Sequence, residues 1–274
     1  MTLTIGFIGA GNMASALVGG LLARGHLPEH LALADSQPSQ LQGFNERSIF
    51  TTTDNAELVE RADVLVLAVK PQVMAEVLKP LAAIVQKKQP IIISIAAGIP
   101  IASINRWLGG ELAIVRAMPN TPALVQMGAT GLYASERVSN EQRQQAEAIL
   151  NAVGLTLWVQ EERLIDSVTA VSGSGPAYFF YVMEAMIAAG CELGLDEKTA
   201  RALTLQTALG AAQMAITADV TPAELRRRVT SPGGTTERAV ATFDEADVKA
   251  TFVKALSACA ARGQELAQKL GKQE

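Results

Sequence analysis

The sequence predicts an α/β protein, with an amino-terminal half on a parallel sheet and an all-helical carboxyl-terminal half. Three observations carry this. Short apolar runs alternate with helix-like stretches over the first 160 residues; no strand-like run follows them; and a glycine-rich turn joins the first run to the first helix. Strands separated by helices of about 10–15 residues indicate crossover units on a parallel sheet.

The elements follow in order. Residues 3–8 are the first strand, and 12–24 a helix with Met13, Leu17, Leu21 and Leu22 at helical spacing. Residues 31–34 form the second strand, 39–46 a weak helix and 55–61 a short one. The unbroken apolar run 64–69 suits a strand buried on both faces. Helix 73–85, strand 91–95, helix 101–108 and strands at 112–115 and 131–133 come next, then helix 141–153 and strand 156–159. The later helices are expected at 176–193, 197–216, 222–228, 236–243 and 247–270. The change in pattern at 160–164 divides the chain into domains 1–160 and 161–274.

Composition narrows the function classes. Of 274 residues, 49% are hydrophobic and 18% charged, a charged share below the typical ~25%, which favours extensive burial and an oligomer and excludes general disorder. Residues 176–190 carry a single charge, Glu184. A helix apolar all round has to be buried all round, which points to a core shared between subunits. A net charge of −4 argues against a nucleic-acid partner, and Arg226-Arg227-Arg228 after Glu224 reads as a solvated helix face. The longest apolar segments, 91–104 and 177–190, fall short of the ~20 residues of a membrane span. Cys191 and Cys259 stand alone, as small buried hydrophobes, so neither a disulfide framework nor a metal site is expected. Met1-Thr2-Leu3-Thr4 has no basic stretch of the secretory kind, and a cytoplasmic protein is expected.

Gly9-Ala10-Gly11-Asn12-Met13-Ala14 lies between the first strand and the first helix. Gly9 permits the tight turn, Gly11 lets backbone approach a pyrophosphate, and Ala14 allows close helix–strand packing; the helix start supplies free N–H groups. Asp35 ends the second strand where an acidic residue meets the adenosine ribose of NAD; a turn role is the plain alternative. No arginine follows until Arg47 to clamp a 2′-phosphate, although Ser36 and Gln37 can donate to one, so NAD and NADP both stay open. Ala68-Val69-Lys70-Pro71 places Lys70 at the carboxyl edge of the sheet, facing cofactor phosphates or substrate unless it is an exposed loop lysine. Met118-Pro119-Asn120-Thr121-Pro122 presents an amide and a hydroxyl at the same edge or makes a structural turn. Ser172-Gly173-Ser174-Gly175-Pro176 permits close approach of a neighbouring helix or of the nicotinamide.

The stretch from Val229 to Glu237, Val-Thr-Ser-Pro-Gly-Gly-Thr-Thr-Glu, is the most informative. Thr as an N-cap and Glu237 in the first turn are helix-start signals, and the loop aims N–H groups and hydroxyls outward, suiting a small carboxylate. Capping explains the threonines but not the glycine pair. The two histidines, His26 and His30, lie in the connection before the second strand, at the opposite edge, and there is no G-x-S-x-G elbow. Hydride chemistry on a substrate needing little acid help fits that absence.

These motifs together resemble the pyrroline-5-carboxylate reductases over the whole length, most specifically from Val229 through Thr236. The resemblance implies a Rossmann-type dinucleotide-binding domain followed by a helical dimerisation domain, dimers that often assemble into decamers, and NAD(P)H-dependent reduction of a cyclic imine to L-proline. It implies that Ser231, Gly233 and Gly234, with Thr235 beside them, bind the substrate carboxylate, and that Thr236 hydrogen-bonds the imine nitrogen. Gly9, Ala10, Gly11, Asn12, Met13, Asp35, Ser36, Ala68, Val69, Lys70 and Pro71 would hold the cofactor, with Asn120 near the nicotinamide. NADPH is the usual choice in such enzymes and NADH the alternative; Asp35 is the departure, since a carboxylate repels a 2′-phosphate. No metal is implied. Two other readings stand beside this one. A reductase of the β-hydroxyacid type carries a lysine four positions after the last glycine of its helix-leading motif, where this chain has Phe179. A non-catalytic dinucleotide sensor has no use for the loop at 231–236.

Overall fold

A computed structural model describes residues 3–271. The chain falls into two compact units, one running to Gly175 and resuming at Ala258, the other spanning Pro176 to Ser257.

The first unit is built on β1 (Ile5–Ile8), β2 (Leu31–Ala34), β3 (Phe50–Thr52), β4 (Val64–Leu67), β5 (Ile91–Ser94), β6 (Ile114–Met118), β7 (Gly128–Ala134) and β8 (Gly154–Trp158). They form one sheet in the order β3-β2-β1-β4-β5-β6-β7-β8. Its helices are α1 (Asn12–Ala23), α2 (Pro38–Asn45), α3 (Asn55–Arg61), α4 (Met74–Leu78), α5 (Ala82–Lys88), α6 (Ile101–Trp107), α7 (Asn140–Asn151) and α8 (Leu164–Val168). Successive strand residues feed two different cores, which is why these strands read as unbroken apolar runs. Phe7, Leu33, Val64, Val66 and Ile93 join α1, α2 and α7, while Ile8, Ala32, Leu65, Leu67 and Ile92 join α3 to α6.

Several expectations are corrected. All adjacent pairs are parallel except β6 and β7, which are antiparallel. Residues 119–127 are too short a link for a parallel crossover, and Thr121–Val125 forms a 3-10 turn instead. The helix expected over 73–85 is broken into α4 and α5 by a 3-10 turn at Lys79–Leu81, where Pro80 has no N–H to donate. β6 begins and ends later than the expected 112–115, so the loop of Pro119 leaves directly from its last residue. β3 was not foreseen, and neither was α8 with its π-helical continuation Thr169–Gly173.

The second unit contains α9 (Gly175–Glu192) from Pro176 onward, α10 (Glu197–Thr217), α11 (Pro222–Arg228), α12 (Thr235–Glu245) and the start of α13 (Val248–Leu270). Asp196 caps α10 by accepting from the Thr199 N–H at 3.0 Å, and Thr221 caps α11 with Pro222 in its first turn. Within one chain α9 is open rather than enclosed: Phe179, Phe180 and Tyr181 are 68%, 61% and 74% exposed. Cys191 is exposed on the same helix, against the expectation of burial, and Cys259 is half-buried.

Candidate active site

The register sets the cofactor edge. Ile8 lies opposite Ala34 on one side and Leu67 on the other, so Gly9, Asp35 and Ala68 follow side by side where the strand order reverses. Gly9 has φ +99°, and a Cβ there would stand 2.8 Å from the Ala68 carbonyl oxygen, so only glycine fits the turn. The Gly9 N–H donates to the Ala34 carbonyl at 2.7 Å, and the Ala68 N–H to that of Ile8 at 2.8 Å. Gly11 is the N-cap of α1 and has no side-chain cap, and the first turn holds no acidic residue. A Cβ on Gly11 would meet nothing within 4 Å. Free N–H groups at the positive end of a helix thus face open space, a cradle that fits a phosphate group. Asn12 is exposed beside Gly11, Met13 is half-buried, and Ala14 is buried against the sheet.

Asp35 works inside the turn. Its Oδ2 accepts from the Ala10 N–H at 2.9 Å and its Oδ1 from the Gln37 N–H at 2.9 Å. The Ala10 amide is therefore engaged within the chain. The carboxylate has acceptor capacity left for a ribose hydroxyl. Ser36 is exposed next to it, Val69 is half-buried, and Lys70 is exposed ahead of Pro71, which opens a 3-10 turn rather than an α-helix.

Asn120 is buried and serves as a brace. Its Nδ2 donates to the Ser172 carbonyl at 3.0 Å, and its Oδ1 accepts from the Ala129 N–H at 2.9 Å. Close packing explains Gly173, where a Cβ would stand 2.7 Å from the Met118 Cε. Sequence reasoning missed the buried cluster behind this loop. Arg116 donates from Nη1 to Glu162 at 3.1 Å and lies 3.6 Å from Asp166, while Glu162 also accepts from the Ile101 N–H at 2.8 Å. Burial pushes the Asp166 carboxyl up from its ordinary range, against the pull of Arg116. The three charges tie β6 to α6 and α8; Arg116 lies far in sequence from both acids, which left no local pattern to read.

In the second unit the loop from Ser231 leads into α12. Gly234, not a threonine, is the N-cap, with Thr235 and Thr236 inside the first turn. The hydroxyls of Ser231, Thr235 and Thr236 take no partner among the described residues, and all three side chains are exposed. Gly233 has φ +71°, which the turn requires, and the Gly234 N–H donates to the Ser231 carbonyl at 3.0 Å. The Gly233 N–H donates to Glu237 Oε2 at 2.7 Å, a contact that the sequence reading, which took Glu237 for a helix-start signal, did not foresee. Among the described residues no group of three or more His, Cys, Asp or Glu side chains is placed to hold a metal ion, and no helix is long and apolar enough to cross a membrane.

A glycine turn at the switch point of a parallel sheet, leading into an uncapped helix, defines the dinucleotide-binding class of Rossmann-type folds. Comparison with known proteins is specific beyond the class. Residues 162–266 match the family model for pyrroline-5-carboxylate reductase dimerisation, and residues 4–98 match one described as NADP oxidoreductase coenzyme F420-dependent. A pyrroline-5-carboxylate reductase of Pseudomonas aeruginosa is 53% identical over 270 residues, covering 97% of this chain and 98% of its own. A solved structure of such a reductase from Coxiella burnetii is 44% identical, with a TM-score of 0.93 over 97% of this chain and 99% of that one. A Plasmodium falciparum pyrroline carboxylate reductase, solved with NADP bound, is 28% identical with a TM-score of 0.85, covering 97% and 98%. The chain belongs to the pyrroline-5-carboxylate reductase family.

Proposed function

We propose that this chain reduces 1-pyrroline-5-carboxylate to L-proline, the last step of proline biosynthesis, with NADPH as the preferred cofactor and NADH as the alternative. The observation that carries the reading is the start of α12, where exposed hydroxyls without partners adjoin a glycine pair, in a chain of this family. Gly9, Gly11, Asn12 and Met13 would hold the cofactor pyrophosphate at the start of α1. Asp35 and Ser36 would meet the adenosine ribose, and Ala68, Val69, Lys70 and Pro71 would line the same edge. Ala10 and Asn120 contribute by holding that edge in shape. Bound there, the reduced nicotinamide supplies the hydride.

The protein's own share is orientation and proton management. Ser231 and Gly233, with Thr235 beside them, would receive the substrate carboxylate; Gly234 shapes the loop. Thr236 would hydrogen-bond the imine nitrogen and keep it protonated. A protonated imine is already electrophilic, so holding it in reacting geometry accounts for most of the barrier reduction. On this reading residues 1–160 bind the cofactor and 161–274 serve dimerisation and substrate binding. The open apolar face of α9 supports a homodimer, because each buried Phe or Met side chain stabilises by about 1.5–3 kcal/mol; a decamer is the further assembly that the family resemblance suggests. The two free cysteines suit a reducing cytoplasm. A spectrophotometric assay with 1-pyrroline-5-carboxylate tests the reading: oxidation of NADPH is expected to outpace that of NADH, and no oxidation of either rejects it.

A further inference from the structure

Two amides of the Ser231–Thr236 loop are candidates for the substrate carboxylate, and both are engaged. The Gly234 N–H closes the turn onto the Ser231 carbonyl. The Gly233 N–H is held by a carboxylate already, that of Glu237 at 2.7 Å. This is not the usual reciprocal cap, in which the glutamate of the first turn bonds the N-cap amide. Here the N-cap is Gly234, and Glu237 reaches past it to the residue before, Gly233, which has φ +71°. The contact is solvent-exposed, so Glu237 can exchange the amide for water.

We propose that Glu237 is an internal competitor for the substrate carboxylate: it holds the Gly233 amide and has to swing away when substrate binds. This rests on the reading that the loop receives that carboxylate. Glu237 fills a carboxylate position with a carboxylate, which keeps the loop in its receptive shape. Once displaced, it remains within reach of a like charge. Competition for the amide and repulsion by the displaced charge weaken substrate binding without touching the reacting atoms, so Glu237 sets affinity rather than turnover.

The test is steady-state kinetics of the full chain with NADPH and 1-pyrroline-5-carboxylate. Glu237→Gln keeps the size and one acceptor but removes the charge, and Glu237→Ala vacates the amide. Both are expected to lower the substrate KM by about 3–10-fold, the scale of one exposed like-charge contact, with kcat moving less than KM. Product inhibition by L-proline, which carries the same carboxylate, tightens in parallel. A purely structural glutamate would instead lower the thermal midpoint and leave KM unchanged or raised, and that result in Glu237→Gln overturns the proposal. Gly234→Ala separates the two levels, since its Cβ would stand 2.9 Å from the Ser231 carbonyl oxygen and distort the loop. If Gly234→Ala raises KM while Glu237→Gln fails to lower it, only the competitor role falls. If Gly234→Ala leaves KM unchanged, the carboxylate binds elsewhere and both statements fall.

Discussion

At the carboxyl edge of the sheet, Gly9, Asp35 and Ala68 follow strands buried on both faces, and backbone hydrogen bonds to Ala34, Thr52 and Ile8 hold them in place. The Ser231–Thr236 loop lies exposed between two helices and is held by bonds inside itself. The first arrangement is preformed: phosphate recognition needs only amides that already point into open space. The second has the amides of its glycine pair engaged and its hydroxyls unengaged, so the Gly233 amide can bind only by exchanging its partner. On the proposed roles, an invariant phosphate group meets a rigid cradle, whereas the substrate carboxylate meets an exposed loop whose Gly233 amide can change partners.

The largest expected effect separates the two glycines of the rigid edge. Gly11→Val should abolish dinucleotide binding in a folded protein, because its side chain enters the space in front of α1, where a Cβ meets nothing of the chain within 4 Å. Gly9→Ala should instead destabilise the fold by about 1–3 kcal/mol, through positive φ and the approach of Ala68. Calorimetric titration with NADPH and thermal melts on both variants check this. Unchanged affinity in Gly11→Val would move the pyrophosphate elsewhere.

Next in size is assembly. The exposed face of α9 predicts at least a dimer at micromolar concentration, well above the 28.9 kDa of one chain. Phe180→Glu should lower the assembled fraction. Light scattering that finds only the single-chain mass in the unmodified protein would contradict the shared helical core.

The smallest effect concerns Asp35, whose carboxylate holds the turn and is proposed to meet the ribose. Asp35→Asn keeps one acceptor and loses the charge, so it should cost about 1–3 kcal/mol of stability and shift the NADPH/NADH ratio of kcat/KM toward NADPH. A stability loss with an unchanged ratio would leave Asp35 a turn residue alone.

Much of this architecture was legible because burial is periodic. β1, β2 and β4 are apolar at every position, and β5 up to its last residue, Ser94, since both faces are covered, and α11 has the expected bounds 222–228. β3 escaped because Phe50–Thr52 is a three-residue edge strand with two threonines, only half-buried. The reversal at β7 escaped because strand direction depends on link length rather than on the strand's own residues. At the site, residue types were readable and partners were not. Asn120 and Asp35 were seen as polar groups facing a ligand, yet their first commitments are to backbone amides and carbonyls of neighbouring segments. Arg116 in β6 meets Asp166 in α8 and Glu162 in the turn before it, so only the folded chain reveals the cluster.

The central claim is that Thr236 serves the imine nitrogen, and turnover of Thr236 variants measures it most directly. Gly234 caps α12, so the hydroxyl of Thr236 is not needed to start the helix, and the stability cost of Thr236→Ala should fall below the ~1 kcal/mol typical of a lost cap. Its kcat, at saturating NADPH and substrate, should fall by on the order of 10²-fold near neutral pH. Thr236→Ser should recover most of the rate. The defect should shrink in acidic buffer, where solvent protonates the imine without help. A folded Thr236→Ala variant with near-normal kcat across that pH range would contradict the assignment and pass the role to Ser231 or Thr235.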